Sequence, residues 1–409
     1  MADQRMPDRE RVLPQGKKIF INALERHTDL NALVHQCSWL LRNPNAKEIL
    51  LIFEQNFRVF PNMMAPLAAL VAFLHKVNVK PKIYVKHPTL QDCSVFEPRK
   101  IEGYLARSDP SNVVWAYSDS KELESLISAV IEDLYLRVPS ESQVLLALEY
   151  CMGELMDNVL RHSKASAGYF MYTLQNNGER IALSVADQGI GVLRSFEHSS
   201  YRPMDAADAI TLAMTKGITS SSESAGNGLW SSSEIITHNN GQFTLTSSGG
   251  AIYYDKSRNK VTSYDRVPTL QQELPGMHID FQLDFSVPID FNAIWQETPS
   301  PINTRLENLE DSADNLVLKL AERTFGTSTR ESAREMRVLA MNYLRTQNQP
   351  VVLDFTGLSI ISSSYADELV VKSRLEARAM GCADRLGIAG TCSTVDLIIA
   401  DAIGSRVEP

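Results

Sequence analysis

Residues 145–162 read LLALEYCMGELMDNVLRH, and the rest of the chain is best understood from them. Glu154, Asn158 and His162 follow one another at steps of four, so in a helix they form one polar stripe. A carboxylate, a carboxamide and an imidazole in one row fit a site that faces a ligand and fit a solvated polar edge equally well, because three residues at helical spacing are a weak pattern. Apolar residues recur beside this stripe at steps of three and four, which predicts one buried helix face: Leu145, Leu148, Met152, Leu155 and Val159.

A glycine-containing turn follows a short apolar strand in residues 181–192, IALSVADQGIGV. The strand ends at Asp187, and Gly189 and Gly191 come directly after it. Glycines at alternate positions allow a tight turn and the close approach of a flat ligand. The Asp187 carboxylate is placed to accept a hydrogen bond from an amino group.

A second glycine turn occupies residues 224–229, SAGNGL, and leads into the predicted helix WSSSEIITHNN, which ends before Gly241. Glycines immediately before a helix expose backbone N–H groups at the positive end of its dipole, where proteins often hold phosphate. A single glycine turn is more often an ordinary loop. Here it is the third element of an ordered series.

The three motifs together are E-x3-N-x3-H on a helix, D-x-G-x-G after a strand, and G-N-G-L before a helix. In this order, over roughly residues 120–290, they resemble the GHKL superfamily. This is the Bergerat-fold ATP-binding module of gyrase, Hsp90, MutL, histidine kinases and anti-sigma-factor serine kinases. The resemblance implies ATP and Mg²⁺ as cofactors. It also implies an α/β sandwich with a mixed sheet and one helical layer.

Residue roles follow from the resemblance by position. It implies that Asn158 ligates Mg²⁺, that Asp187 binds the adenine amino group, and that Gly189 and Gly191 shape the adenine pocket. Glu154 matches the general base of members that hydrolyse ATP or phosphorylate a serine, since a carboxylate can orient a water or hydroxyl toward the γ-phosphate. The lid over the phosphates is expected to contain Gly226, Asn227, Gly228 and Leu229.

Some positions depart from the family pattern or have a structural role in it. His162 is expected to be structural rather than catalytic. Met277, in LPGMHIDFQLDF, stands where many members carry a threonine that takes part in adenine binding. Residues 251–273 predict an extended polar hairpin between two core strands. No phosphoacceptor histidine helix lies directly upstream, so a two-component sensor kinase is not expected.

Charge and composition restrict the class of protein. A net charge of −9 argues against sequence-independent binding of nucleic acid, which needs a strong basic field. The polar N-terminus and the lack of a long apolar run predict a cytoplasmic protein without membrane segments. The cysteines show no metal-binding or disulfide spacing: Cys37, Cys93, Cys151, Cys382 and Cys392.

The predicted N-terminal part has a polar segment, 1–16, and an α/β domain, 17–118, with a boundary to the next domain near residue 118. The strands KIFINAL, EILLIFE and PKIYVK alternate with helices, which predicts a parallel or mixed sheet. The pattern is loosely similar to a STAS domain, the fold of anti-sigma-factor antagonists. No phosphate-binding turn is found at the strand ends, so a scaffold or interaction role is favoured over catalysis.

The GHKL-like domain is expected at 119–290, followed by a linker at 291–314 that contains helix breakers and an acidic run. Residues 315–409 predict the order strand, helix, strand, serine-rich turn, helix, strand. The segment VVLDFTGLSIISSSYADEL resembles a STAS-like domain more closely than the N-terminal part does. The similar order in 17–118 suggests an internal duplication.

A run of three serines lies in this turn. In STAS antagonists a serine at the equivalent place accepts phosphate from a partner kinase, so the resemblance makes Ser362, Ser363 and Ser364 possible phosphoacceptors. The other interpretation is a helix N-cap, in which the oxygen of Ser364 or a neighbour accepts from free backbone N–H groups. Both roles can hold for one residue.

The sequence therefore predicts a bacterial-type regulatory protein with a central GHKL module between two small STAS-like α/β domains. It would use ATP binding with hydrolysis or serine phosphotransfer, as an ATPase or serine/threonine kinase, to control a STAS-domain or other regulatory partner. The alternative is a nucleotide-gated interaction switch without catalysis. GHKL modules often pair, so the resemblance also suggests a homodimer. A gyrase-like or MutL-like role is disfavoured by the acidic charge and the lack of an evident transducer domain.

Overall fold

A computed structural model of the 409-residue chain shows a mixed α/β protein with several sheets. Its contacts divide the chain into two compact units: one comprises residues 1–198 and 205–301, the other residues 199–204 and 302–409. The residues that the structure describes are 11–42, 48–101, 109–138, 142–218, 220, 228–255, 260–264, 276–291, 294, 302–303, 309–323 and 326–407.

The first unit begins with a four-stranded sheet in the order β1-β2-β3-β4. The β1–β2 pair is antiparallel, whereas β2, β3 and β4 run parallel, as expected for strands joined by helices. The prediction of a parallel or mixed sheet is therefore confirmed. The elements are β1 (Val12–Gln15), β2 (Lys18–Ile21), α1 (His27–Leu41), β3 (Glu48–Phe53), α2 (Pro61–Lys76), β4 (Lys80–Val85) and α3 (Pro88–Asp92).

A larger sheet follows in the same unit. Its strands and the helices between them are β5 (Trp115–Tyr117), α4 (Ser120–Arg137), α5 (Ser142–His162), β6 (Gly168–Gln175), β7 (Arg180–Asp187), α6 (Gly191–Ser195), α7 (Ala206–Ala213), α8 (Gly228–His238), β8 (Gln242–Ser247), β9 (Gly250–Asp255), β10 (Lys260–Tyr264) and β11 (Met277–Asp284). The strands lie side by side in the order β10-β9-β8-β11-β7-β6-β5.

Neighbouring strands of this sheet are antiparallel in each described ladder. The sequence, in contrast, predicts a mixed sheet. Short connections explain several of these pairs, because a tight turn can join only antiparallel strands. β9 and β10 form part of the hairpin predicted for residues 251–273, with Lys260 paired to Asp255. The rest of that segment, 256–259 and 265–273, lies outside the described residues.

Helices cover both faces of the larger sheet. The sequence predicts one helical layer, made by the helices of residues 119–290. Side chains alternate along β6. The Tyr172 hydroxyl donates to Asp133 of α4 at 2.8 Å, whereas Tyr169 and Met171 belong to one core with α1, α2 and the first sheet. Helix α2 also contacts β7, where Ala186 joins this core. The second layer thus comes from the N-terminal part of the chain.

This packing bears on the expected boundary near residue 118. β5 forms the edge of the larger sheet, and Ala116 packs against the core of the N-terminal part. The contacts therefore place residues 17–118 and 119–290 in one compact unit. Whether each part folds alone stays a prediction, as does the internal duplication.

The second unit contains a three-stranded parallel sheet in the order β13-β14-β15. The predicted order of strands and helices is confirmed, and the core lies between the sheet and its helices. The elements are β12 (Ile302–Asn303), β13 (Leu316–Lys319), α9 (Leu320–Arg323), α10 (Arg330–Thr346), β14 (Val351–Asp354), α11 (Ser363–Ala366), a π-helical turn (Asp367–Val371), α12 (Lys372–Ala379), β15 (Leu386–Ala389) and α13 (Ser393–Val407).

Membrane-spanning helices were not expected. Among the described residues, no helix combines the length and the apolar character needed to cross a membrane.

Candidate functional site

Helix α5 carries the polar stripe of the site, and it forms as the periodicity predicts. Glu154, Asn158 and His162 line one pocket from successive turns. The apolar stripe beside them is buried, so the helix is fixed against the sheet and its neighbours. Its members are Leu145, Leu148, Met152, Leu155 and Val159, each no more than 2 % exposed.

Asp187 is the last residue of β7, which lies between β11 and β6. Its side chain is only 5 % exposed. The Gly189 N–H donates to Oδ1 of Asp187 at 2.6 Å, whereas Oδ2 has no hydrogen-bond partner among the described residues. A buried oxygen without a donor costs about 1–3 kcal/mol. Asp187, a lining residue of the pocket, therefore carries a buried acceptor without a donor.

Gly189 and Gly191 have different local reasons to be glycine. A Cβ on Gly189 would stand 2.1 Å from the backbone oxygen of Ser163, which also accepts from the Ile190 N–H at 2.7 Å. The missing side chain lets the turn pack on the end of α5. Gly191 has a φ of +75° and lines the pocket itself. Only glycine adopts such a backbone conformation without strain.

Helix α8 brings its N-terminus to Glu154. A Cβ on Gly228 would lie 2.1 Å from Oε2 of Glu154. Gly228 and Leu229 line the pocket at the positive end of this helix. The remaining expected lid residues, Gly226 and Asn227, lie outside the described residues.

The pocket is open and has an empty volume of about 680 Å³. It unites residues from the three sequence motifs with Met277, the residue that departs from the family pattern. Gly189 is the one described residue of the predicted ATP site that does not line the pocket; it lies in the turn after β7 instead. The predicted residues that line the pocket are Glu154, Asn158, His162, Asp187, Gly191, Gly228, Leu229 and Met277.

Burial sets the protonation of the lining groups. It raises the pKa of Asp187 to about 7. The backbone N–H of Gly189, which donates to Oδ1, lowers the pKa, and so does the N–H of Met277, which lies near the carboxylate without forming a hydrogen bond. Burial, together with the negative charge of Asp157, also raises the pKa of Glu154, against the opposite influence of Arg161. A carboxylate with a raised pKa is a stronger proton acceptor, as a general base requires.

His162 is the third titratable group on the α5 stripe. Burial and then the positive charge of Arg161 lower its pKa, against the opposing charge of Asp157. The imidazole is therefore neutral at pH 7. It can act as a hydrogen-bond donor and acceptor in the pocket, but it adds no positive charge there.

The donor set fits one kind of metal site. Among the described residues, no group of three or more His, Cys, Asp or Glu side chains is placed to hold a metal ion by itself. Asn158 lines the pocket and offers one carboxamide oxygen; its Nδ2, which is buried without a hydrogen-bond partner in the described part of the chain, is a donor and cannot ligate a metal. Mg²⁺ commonly takes one or two protein oxygens and completes its shell with water and phosphate. Asn158 could hold it only together with a phosphate ligand.

The positive field in the pocket has a specific origin. The described lining contains no lysine or arginine. A polyanionic ligand would meet the positive end of α8 and the exposed N–H groups of its first turn. A divalent cation would have to supply the remaining charge, because Glu154 and Asp187 both repel phosphate when ionised.

Several lining residues were not singled out from the sequence. They come from the end of α5, from α6 and the turn after it, and from α7 and the segment that follows. Ser163 could have been suspected, because it directly follows the helix. The others carry no motif, since their position depends on how α6 and α7 pack: Val192, Ser195, Phe196, Ala213, Ile218 and Ser220.

The serine-rich turn of the second unit forms a helix cap. Ser362 is the N-cap of α11, and its Oγ accepts from the Tyr365 N–H at 3.0 Å. The same hydroxyl lies 3.0 Å from the Ser328 carbonyl oxygen, to which it donates. Ser363 is exposed and Ser364 is half-buried. The cap interpretation is confirmed for Ser362, while a phosphoacceptor role for the three serines stays a prediction.

The comparisons with known proteins place no further constraint on the site. No protein-family model matches the chain, and a search of curated proteins returned no match.

Proposed function

We propose that the first unit binds Mg·ATP in this pocket and that the protein is a regulatory member of the GHKL superfamily. The observation that carries the proposal is that residues from three separate motifs line one pocket, as the resemblance requires. Glu154 and Asn158 come from a helix, Asp187 and Gly191 from a strand end, and Gly228 from a helix N-terminus. Each motif alone is common, but their convergence has no simple packing explanation.

The parts of ATP match the parts of the pocket. The adenine amino group would donate to the unpartnered Oδ2 of Asp187, beside the bare backbone of Gly191. The phosphates would lie at the N-terminus of α8 and share Mg²⁺ with Asn158. Met277 replaces a threonine on the adenine side, so the base would gain apolar contact and lose a polar one.

Glu154 gives the pocket a group that can act in chemistry. Its carboxylate lies against Gly228, next to the expected phosphates. From there it could orient a water or a serine hydroxyl toward the γ-phosphate and accept its proton. The reaction would be slow ATP hydrolysis or serine phosphotransfer, with a STAS domain in the same chain or in a partner as the substrate.

A second candidate function is a nucleotide-gated switch without turnover. It is favoured over phosphotransfer to Ser362, because the hydroxyl of Ser362 already donates to Ser328 and caps α11. Phosphorylation at this oxygen would first have to break the bond to Ser328. In this case, binding of ATP alone would change how the protein meets a regulatory partner.

Isothermal titration of the purified full chain with ATP, in Mg²⁺ and in excess EDTA, tests the binding step. We expect Mg²⁺-dependent binding that is lost in Asn158→Ala. Glu149→Gln is the matched control, because this exposed carboxylate lies on the same helix and does not line the pocket. If wild type does not bind ATP under either condition, the proposal is wrong.

Incubation with γ-labelled ATP then separates the two functions. Free phosphate that disappears in Glu154→Gln indicates an ATPase, and label on Ser362, Ser363 or Ser364 indicates a kinase that acts on its own chain. If wild type binds ATP but gives neither product, even with a STAS-domain protein added as substrate, the switch is favoured and the catalytic role of Glu154 is excluded.

A further inference from the structure

A second pocket lies on the other side of the larger sheet, where α1 and α2 cover it. We call it the back pocket. Its empty volume is also about 680 Å³. Leu30 and Val34 of α1 and Leu70 and Phe73 of α2 form an apolar wall, and the ends of β7, β8 and β11 form the opposite one. Apolar walls with a few polar groups are typical of small-molecule sites.

Gln188 is a buried polar residue of this pocket whose side chain is only partly hydrogen-bonded. It lines the back pocket and is only 3 % exposed. Its Nε2 donates to Ser166 Oγ at 2.9 Å, but its Oε1 has no hydrogen-bond partner in the described part of the chain. A buried carbonyl oxygen without a donor is destabilising. A ligand N–H or O–H in the pocket would remove this penalty.

The charges around the back pocket disfavour an anionic ligand. Among the described residues that line it there is no lysine or arginine, and the titratable ones are Asp187 and His278. His278 is buried and lies 3.1 Å from Ser184 Oγ. Burial, with a smaller contribution from His27, lowers its pKa to about 3, so the ring is neutral. An anion would find no counter-charge there.

We propose that the back pocket binds a small, neutral, mainly apolar molecule whose single N–H or O–H group donates to Oε1 of Gln188. The apolar walls of α1 and α2 supply most of the affinity. The Gln188 oxygen selects molecules that carry a donor, because a ligand without one leaves this oxygen unpaired. This proposal stands whether or not the first pocket binds ATP.

The two pockets share a wall. Asp187 and Met277 line both of them, and Gly276 fits against the Asp187 carbonyl, where a Cβ would lie only 2.2 Å away. A ligand that moves this wall would change the shape of the first pocket and hence its affinity. By linkage, ATP would change the affinity of the back pocket by the same factor. This coupling, unlike the binding, rests on the proposed function.

Indole is a suitable probe, since it is neutral, mainly apolar and has one N–H donor, and 1-benzothiophene has a similar shape without the donor. Titrations of the full chain without nucleotide, followed by NMR, should show that indole binds about five- to tenfold more tightly, the worth of about one hydrogen bond. Gln188→Met should remove this preference. Equal affinities in wild type, or no indole binding, would refute the proposal.

A second pair of variants tests the location. Val34→Trp places a large side chain in the half-buried lining and should abolish indole binding, whereas His35→Trp adds the same group at an exposed neighbouring position and should not. Indole binding that survives Val34→Trp would place the site elsewhere. If indole binds as expected but ATP does not, only the proposed function and the coupling fail.

Discussion

A Cβ atom on Gly228 would stand 2.1 Å from Oε2 of Glu154, so the first turn of α8 fits against this carboxylate only because residue 228 has no side chain. Two sequence motifs far apart in the chain therefore meet at one point. The carboxylate is held where a helix N-terminus would bring phosphate. A substitution at residue 228 can therefore move the Glu154 carboxylate without removing it, which tests whether its position matters for activity.

Gly228→Ala should keep the fold and lose activity. The clashing atom is the end of a flexible side chain, so the carboxylate can move aside while the backbone stays. If ATP is turned over, we expect the rate to fall on the order of 100-fold, the effect of a misplacement of about 1 Å, with little change in ATP affinity. Steady-state kinetics and titration with ATP measure the two quantities.

Gly153→Ala is the control for this experiment. Residue 153 precedes Glu154 on α5, and a Cβ there would meet no atom within 4 Å. Alanine should preserve turnover and stabilise the helix by up to about 1 kcal/mol. Wild-type turnover in Gly228→Ala would show that the carboxylate position has no role.

Asp187 should make the stability of the first unit depend on pH. Burial raises its pKa to about 7 from 3.8 in the unfolded chain. Between these values the folded state binds more protons, so the free energy of unfolding falls as pH rises from 4 to 7. The slope is up to about 1.4 kcal/mol per pH unit for this group, and above pH 7 its cost is constant.

The variant Asp187→Asn keeps the size of the side chain and cannot ionise. Denaturant unfolding of wild type and variant should give similar stabilities near pH 4. At pH 8 the variant should be more stable by a few kcal/mol, because it avoids a buried charge. A stability difference that does not change with pH would contradict the raised pKa.

Local patterns in the sequence predicted much of the site. The step of four that joins Glu154, Asn158 and His162 is a property of one helix, and the glycines after Asp187 indicate a turn wherever that strand lies. These relationships need no knowledge of distant contacts. The resemblance added the expectation that the motifs converge, which the pocket lining of the described residues agrees with.

Long-range packing was less predictable. Helix α2 covers the face of β6 and β7 opposite α4. This packing depends on contacts between residues about a hundred positions apart, and a local sequence pattern does not predict such contacts. The sequence predicts a separate domain for α2, and it does not predict that this helix covers the larger sheet. The Ser163 carbonyl accepts from the Ile190 N–H and leaves room only for glycine at residue 189. These are contacts of backbone atoms, so the residue type at position 163 does not predict them.

Gly189→Ala should destabilise the first unit. The atom that a Cβ would strike is a backbone oxygen, 2.1 Å away, so the turn itself must shift. We expect a loss of about 1–3 kcal/mol, as for other overpacked sites, measured by denaturant unfolding. Because Gly189 does not line the pocket, any loss of ligand affinity should accompany this shift of the turn. Gly153→Ala again serves as the control, and equal stability of the two variants would contradict the close contact.

Ser362→Ala should destabilise the second unit by about 1 kcal/mol, the usual cost of an N-cap, because the Tyr365 N–H would lose its acceptor. Ser363→Ala is the matched control: this neighbour is exposed, so we expect a change within about 0.5 kcal/mol. Denaturant unfolding of both variants measures the difference. If they lose the same stability, the cap contributes nothing at Ser362, and its hydroxyl would be as free to accept phosphate as that of Ser363. A loss confined to Ser362→Ala would instead mean that phosphorylation there has to break a stabilising contact, which makes Ser363 the easier acceptor.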